Sequence, residues 1–212
     1  MVKAIFFDVA NTLLHKPSVF GMIKQVLEEN GYQVDLKTLE VRHKLLSEVI
    51  NFPDKTNGEF YNVFNKELLY TLGIPPSENL IREIYNRCSY LPWEAFPDSK
   101  MINDLTFPLG IISNWDNTLK QKLKGFFSVE FNWVLGSQSM EMRKPSIDFY
   151  SKIIEITSLP PQDILYIGDS IKLDIEPTLS LGMNAVLIDR IGIYTSQATP
   201  VIRDMNEIYK FL

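Results

Sequence analysis

The chain has 212 residues, 45% of them hydrophobic and 22% charged, with a formal net charge of -5. That is enough apolar material for one sizeable core, or for a core with a small satellite, and it excludes a disordered or fibrous chain. The interspersed Lys, Arg, Asp and Glu leave no basic stripe of the kind a phosphate backbone attracts, so nucleic acid is not expected as a partner.

The first predicted element is "VKAIFFD", a short apolar run that reads as a buried strand. The opening "MVKAIFFDV" meets an aspartate too early for a signal peptide, and no run of about 18 apolar residues occurs, so neither a leader nor a membrane span is expected. A cytoplasmic location follows as an expectation. The strand runs into the loop "FFDVANTLLHK", where Asp8 and Thr12 flank a plain alanine, Ala10.

Helices alone fill the next stretch. "SVFGMIKQVLEEN" has apolar spacing near 3.6 and ends at Gly31, and "DLKTLEVRHKLLSEVI" opens on Asp35 as an N-cap. "EFYNVFNKELLYTLG" closes at Gly73, and "SENLIREIYNRCSYL" starts from Ser77. The single cysteine, Cys88, sits in this last apolar pattern and reads as a small buried thiol, not a nucleophile. His15 and His43 read as surface or hinge residues.

From residue 96 onward apolar β-type runs alternate with helical patterns. "FPLGIISN" precedes "NTLKQKLKGFF", "FNWVLGS" precedes "SIDFYSKIIEIT", "DILYIGD" precedes "DIEPTLSLG", and "NAVLID" follows. Strand and helix repeated in this way predict an α/β fold with a Rossmann-like parallel sheet covered on both faces. The economical division is an α/β domain of residues 1–15 and 96–212 with a helical domain, residues 16–95, inserted after the first strand. Two joining strands would let the insertion act as a lid.

Open parallel sheets bind ligands outside the carboxyl ends of their strands. The first strand ends in Asp8, the strand at 109–112 in Ser113 and Asn114, and the strand at 164–167 in Gly168 and Asp169, with Asp174 shortly after. "MRKPSIDF" places Lys144 before a helix whose Pro145 suits the first turn. A lysine there opposes the helix dipole, which favours a functional use over a solvated surface charge. Taken alone, Asp8 would be a turn cap and Asp169 an N-cap; their joint placement favours a site. Trp115 has two open readings, packing the sheet edge or lining an entrance.

These stretches resemble the four motifs of the haloacid dehalogenase-like hydrolase superfamily: "FFDVANTLL", "IISN", "RKP" and "YIGDSIKLD", in that order. The resemblance covers the whole chain, because the helical insertion sits where that superfamily carries its first-type cap. A strand-end carboxylate can attack phosphorus and form an acyl phosphate that water later cleaves, and Asp8 is the candidate nucleophile. Crowding Asp8, Asp169 and Asp174 together needs cations to offset the repulsion; Lys144 and a divalent ion suffice, and oxygen ligands favour Mg2+.

The resemblance implies Asp8 and Asp169 as direct metal ligands with the backbone carbonyl of Ala10. Asp174 would act through water or by holding Lys144. Ser113 and the amide of Asn114 would hold phosphate oxygens at a helix start. Asn11, Thr12 and Lys144 complete the expected surroundings of a small phosphorylated substrate, Thr12 mainly by fixing the loop through a side-chain bond to backbone.

Ala10 departs from the pattern. In the phosphatases of this superfamily that position is usually a second aspartate, the general acid and base, a role worth about 10²- to 10⁴-fold. Three outcomes stay open. One is a phosphatase for good leaving groups, or one borrowing an acid such as His15. Another is different chemistry: a dehalogenase, which needs no metal, or a phosphonoacetaldehyde hydrolase using a cap lysine such as Lys44 or Lys55. The third is a binding protein without useful turnover. Selectivity is expected from the cap, including "NFPDKTNGEF"; oligomeric state is left open.

Overall fold

A computed structural model of the chain describes residues 1–194 and 199–212. Its backbone divides into two compact units, Met1–His15 with Ala95–Leu212, and Lys16–Glu94.

The first unit carries a six-stranded parallel sheet in the order β5-β4-β1-β6-β7-β8. Its strands are β1 Ala4–Phe7, β4 Leu109–Ser113, β5 Trp133–Gly136, β6 Ile164–Gly168, β7 Asn184–Ile188 and β8 Val201–Ile202; β2 Leu14–His15 and β3 Glu94–Ala95 are two-residue strands outside this sheet. β1, β4 and β6 are buried along their whole length, as strands covered on both faces must be. β1 lies at the centre, paired with β4 on one side and β6 on the other.

The pairing register explains one packing choice. Phe6 stands opposite Gly110, and a Cβ on Gly110 would sit 2.1 Å from the Phe6 ring. The missing side chain lets Phe6 lie across β4 and stack on Trp133 of β5 at 5.5 Å between ring centroids. The chain reaches β4 and β5 on one side of β1 before crossing to β6, β7 and β8 on the other. The strand order therefore reverses at β1, and that reversal opens a crevice at the carboxyl ends.

β8 was not expected from the sequence: two residues show no period. Pro145 lies outside its helix, not in the first turn, because α7 spans Ile147–Thr157 behind an N-cap at Ser146. Nor does a helix begin at Asn114. A turn containing Asp116 intervenes, and α5 is only Leu119–Lys124.

The second unit is helical. α1 Val19–Glu29, α2 Leu36–Val49, α3 Gly58–Thr71 and α4 Glu78–Cys88 bury Leu27, Leu39, Phe64, Leu68 and Ile84 against one another. Asp35 and Ser77 cap α2 and α4 by accepting from the amides of Thr38 and Leu80. Gly31 and Gly73 take φ of 85° and 73° just past α1 and α3, where a side chain would be strained.

His43 departs from the expected surface placement. Its ring meets Phe20 and Phe64 edge-on at 5.1 and 4.9 Å, and burial, with Lys44 adding to it, pushes its pKa down to about 4. Cys88 is half-buried against the same core, and burial raises its thiol to about 11, which leaves it a poor nucleophile.

Candidate active site

Four segments meet at the carboxyl end of the sheet. Asp8 follows β1; its amide still donates to the Ile167 carbonyl at 2.9 Å, so the ladder fixes where its side chain leaves the strand. The loop then turns tightly. The amides of Leu13 and Leu14 both donate to the Val9 carbonyl at 2.9 Å, and Asn11 takes a left-handed φ of 62°, which asparagine tolerates better than most residues. Thr12, fully buried in that turn, donates from Oγ1 to Asp8 Oδ2 at 3.3 Å. Its side-chain bond thus goes to the carboxylate and not, as expected, to backbone.

Asp8 Oδ1 is held more firmly. Ser113 Oγ, from the end of β4, donates to it at 3.1 Å, and Lys144 Nζ at 2.6 Å. Lys144 is 4% exposed, and its ammonium has an acceptor for each of its three protons: Asp8, Asp174 Oδ1 at 2.7 Å and the Tyr166 hydroxyl at 2.8 Å. The loop carrying Lys144 is fixed by Asn114, whose Oδ1 accepts from the Lys144 amide at 2.8 Å and whose Nδ2 donates to the Lys144 carbonyl at 3.3 Å. Asn114 therefore sets the lysine; its expected position at a helix start is not found.

Asp169 follows β6, and Asp174 lies in a single π-type turn, Ile171–Ile175, where the Ile175 amide reaches back to the Ser170 carbonyl. Ser170, not Asp169, is the residue whose side chain caps this turn, accepting from the Leu173 amide at 2.9 Å. The turn brings Asp174 over Gly168 so closely that a Cβ there would meet Asp174 Cγ at 2.4 Å. Asp174 Oδ1 accepts from Lys144 and from Tyr166 at 2.9 Å, and Oδ2 from the Ser170 amide at 3.1 Å.

Asp8, Asp169 and Asp174 each offer an oxygen, all within 4.8 Å of one another, and all three residues are buried. Asp8 and Asp174 share the Lys144 ammonium. Three buried carboxylate oxygens so close together fit a hard divalent cation such as Mg2+. Ala10, expected to lend its carbonyl, lies two residues past Asp8 in a backbone bridge with Leu14.

The electrostatics agree with the geometry. Burial raises the Asp8 carboxyl above its ordinary value and Asp174 adds to this, while Lys144 pulls it back. Burial opposes charge on Lys144, but Asp174 and Asp8 together lift its pKa above the usual lysine value, so the ammonium is firmly protonated. Tyr150 and Tyr166 are pushed well above 10.0 by burial and then by Asp174, so both act as neutral hydroxyl donors.

The two tyrosines were missed in the sequence because a tyrosine in an apolar strand or helix reads as core. Here Tyr166 binds both Lys144 and Asp174, and Tyr150 donates to the Leu173 carbonyl at 2.6 Å, bracing the π-type turn. Asp189 was also missed. At the end of β7 it accepts from the amides of Gly192, Ile193 and Tyr194 at 2.9, 3.1 and 3.0 Å and so shapes the next loop. His15 stacks on Phe96 at 3.9 Å.

The family model for haloacid dehalogenase-like hydrolases matches residues 5–188. The chain belongs to this family. Among curated relatives, a glyceraldehyde 3-phosphate phosphatase of Methanopyrus kandleri is 23% identical over 208 residues, covering 90% of this chain and 85% of the relative. An (S)-2-haloacid dehalogenase of Xanthobacter autotrophicus is 22% identical over 204 residues, covering 91% of this chain and 77% of the relative. Among solved structures, the magnesium-bound HAD-hydrolase YfnB of Bacillus subtilis superposes with a TM-score of 0.67 at 18% identity, covering all of this chain and 98% of the other. The protein is thus a hydrolase-family member with the family's α/β fold, and its relatives include both phosphatases and dehalogenases. None of its described helices is long and apolar enough to cross a membrane.

Proposed function

We propose that the protein is a Mg2+-dependent cytoplasmic phosphatase for a small phosphorylated molecule, and that Asp8 is its nucleophile. One observation carries the reading: oxygens of three buried carboxylates, Asp8, Asp169 and Asp174, converge within 4.8 Å of one another at the strand ends, the donor set of a hard divalent cation. The magnesium bound by the Bacillus subtilis neighbour and the phosphatase relatives point the same way.

Asp8, Asp169 and Asp174, with the Ala10 carbonyl, would hold the ion. When bound, it supplies positive charge to the carboxylates and to the phosphoryl oxygens. Lys144 and Ser113 hold Asp8 Oδ1 while Thr12 holds Oδ2, so the carboxylate is aimed before substrate arrives. An Asp8 oxygen attacks phosphorus; the new bond is an acyl phosphate, and the ester oxygen leaves with the bonding electron pair. Water then attacks that phosphorus, phosphate departs, and the Asp8 carboxylate is restored. Lys144 stays protonated throughout.

Ala10 carries no proton to give the leaving oxygen. The proposed substrates are therefore acyl and aryl phosphates or other esters whose leaving groups depart as stable anions. Selectivity is assigned to the helical unit, residues 16–95, as a cap. The test is turnover of acetyl phosphate and an aryl phosphate, with Mg2+ and with chelator, by wild type and Asp8→Asn. Metal- and Asp8-dependent release of phosphate supports the reading; no turnover of either substrate favours a binding protein.

Ala10 also favours a second reading, in which Asp8 attacks carbon and displaces halide, the activity named for the Xanthobacter relative. Halide release from a 2-haloacid in the presence of chelator would establish it.

A further inference from the structure

One cation, its side chain 14% exposed, has no part in the chemistry above. Arg190, two residues past the end of β7, reaches across the first unit to two other segments, the Thr12 loop and residues 96–99. Its Nη2 donates to the Thr12 carbonyl at 2.7 Å and to Ser99 Oγ at 3.2 Å, and its Nη1 pairs with Asp98 Oδ2 at 2.8 Å. Its guanidinium carbon lies 3.7 Å from the Phe96 ring centroid. Asp98 Oδ2 is itself fixed by the Met205 amide at 2.7 Å.

The arrangement demands an arginine. A guanidinium presents several donors in a flat fork that can stack while bonding; a lysine ammonium can replace the charge but neither the fork nor the stack. It is also held at a cost, since Arg190 Nε is buried without a partner among the described residues. A pair serving stability alone would need only Asp98. Here a charge-assisted bond is placed instead on the carbonyl of Thr12, the residue whose hydroxyl meets Asp8 Oδ2.

We propose that Arg190 is a positioning residue for Asp8, acting through Thr12. It fixes the Thr12 peptide from one side so that the Thr12 hydroxyl holds Asp8 Oδ2 from the other, while Ser113 and Lys144 hold Oδ1. With Oδ2 released, the carboxylate can turn about its own axis, and misplacement by about 1 Å costs on the order of 10²-fold in rate. The proposal rests on the reading of Asp8 as nucleophile, and its test separates the two.

Arg190→Lys, Thr12→Val and the double variant are assayed with acetyl phosphate and Mg2+, well below the melting temperature of each. The expected result is that kcat falls about 10- to 100-fold in Arg190→Lys with KM changed less than about threefold. The double variant should be no slower than Thr12→Val, because Arg190 acts through that residue. Multiplying losses, or an Arg190→Lys enzyme with unchanged kcat, would overturn the proposal. Thr12→Ser should retain most of the rate.

A second readout does not depend on turnover. Amide hydrogen exchange at Asn11, Leu13 and Leu14, all bonded within the loop, should quicken in Arg190→Lys while exchange in β6 does not. If wild type shows no Asp8-dependent turnover, the nucleophile reading fails. The exchange result then decides for Arg190 alone: faster exchange upholds the clamp on the loop, and unchanged exchange removes it.

Discussion

Replacing Lys144 by methionine keeps the length of the side chain and removes only its charge and donors. Lys144→Met takes one positive charge from the site, with the ammonium bonds to Asp8 at 2.6 Å and Asp174 at 2.7 Å lost from a side chain 2% exposed. Breaking a buried pair in this way costs about 3–5 kcal/mol, because the partner charges stay buried. Two features distinguish this from ordinary core damage. On the proposed function Mg2+ would bind only the folded site and add stability as its concentration passes Kd, about 2.7 kcal/mol at 100 times Kd; that increment should be larger in Lys144→Met than in wild type. Lower pH should also help the variant. Burial raises the Asp8 carboxyl, and Lys144→Met removes the largest influence that pulls it back. The folded state then binds a proton that the unfolded chain has released, so stability is gained as pH falls through the raised Asp8 pKa toward the ordinary aspartate value of 3.8. Urea unfolding with Mg2+ or chelator at two pH values measures all three quantities. A loss below about 1 kcal/mol, or an equal loss with and without Mg2+, would refute the electrostatic reasoning.

Gly168→Ala places a Cβ 2.4 Å from Asp174 Cγ; it should cost about 1–3 kcal/mol and weaken Mg2+ binding by titration calorimetry, whereas retained affinity would mean that Asp174 is not needed in place. Ala10→Asp should raise turnover of alkyl phosphates more than that of aryl phosphates, because only the poor leaving group needs a proton; equal gains would argue against the missing acid. His43, neutral in the fold down to about 4, should make stability fall as pH drops from 6.5, where the unfolded chain takes up the proton first. The full loss is about 3 kcal/mol by pH 4, and His43→Leu should flatten that slope in thermal melts.

Much of the framework was legible because local rules and global fold agree. β1, β4 and β6 are apolar runs, Asp35 and Ser77 cap helices as their position suggests, and the strand ends alone point to Asp8, Ser113 and Asp169 as neighbours. What was illegible depends on reach across the chain. Arg190 meets Thr12, Asp98 and Ser99 through a fold that brings distant segments together, and no spacing encodes that. Tyr150 and Tyr166 were hidden by their own apolar rings. Asn114 has a part that the sequence hides for a different reason: its side chain reaches 30 residues along the chain to fasten the Lys144 backbone. The π-type turn that aims Asp174 is likewise invisible in "DSIKLDI", where an ordinary helix would place the carboxylate elsewhere.

The central claim is that the Asp8 side chain bonds covalently to phosphorus. Quenching the protein in acid during turnover of acetyl phosphate, then locating the phosphoryl group by peptide mass spectrometry, tests it directly. The account predicts an acid-stable, base-labile phosphoryl group on Asp8 that is absent when chelator replaces Mg2+. Turnover with an unmodified Asp8, or with the phosphoryl group on any other residue, would contradict it.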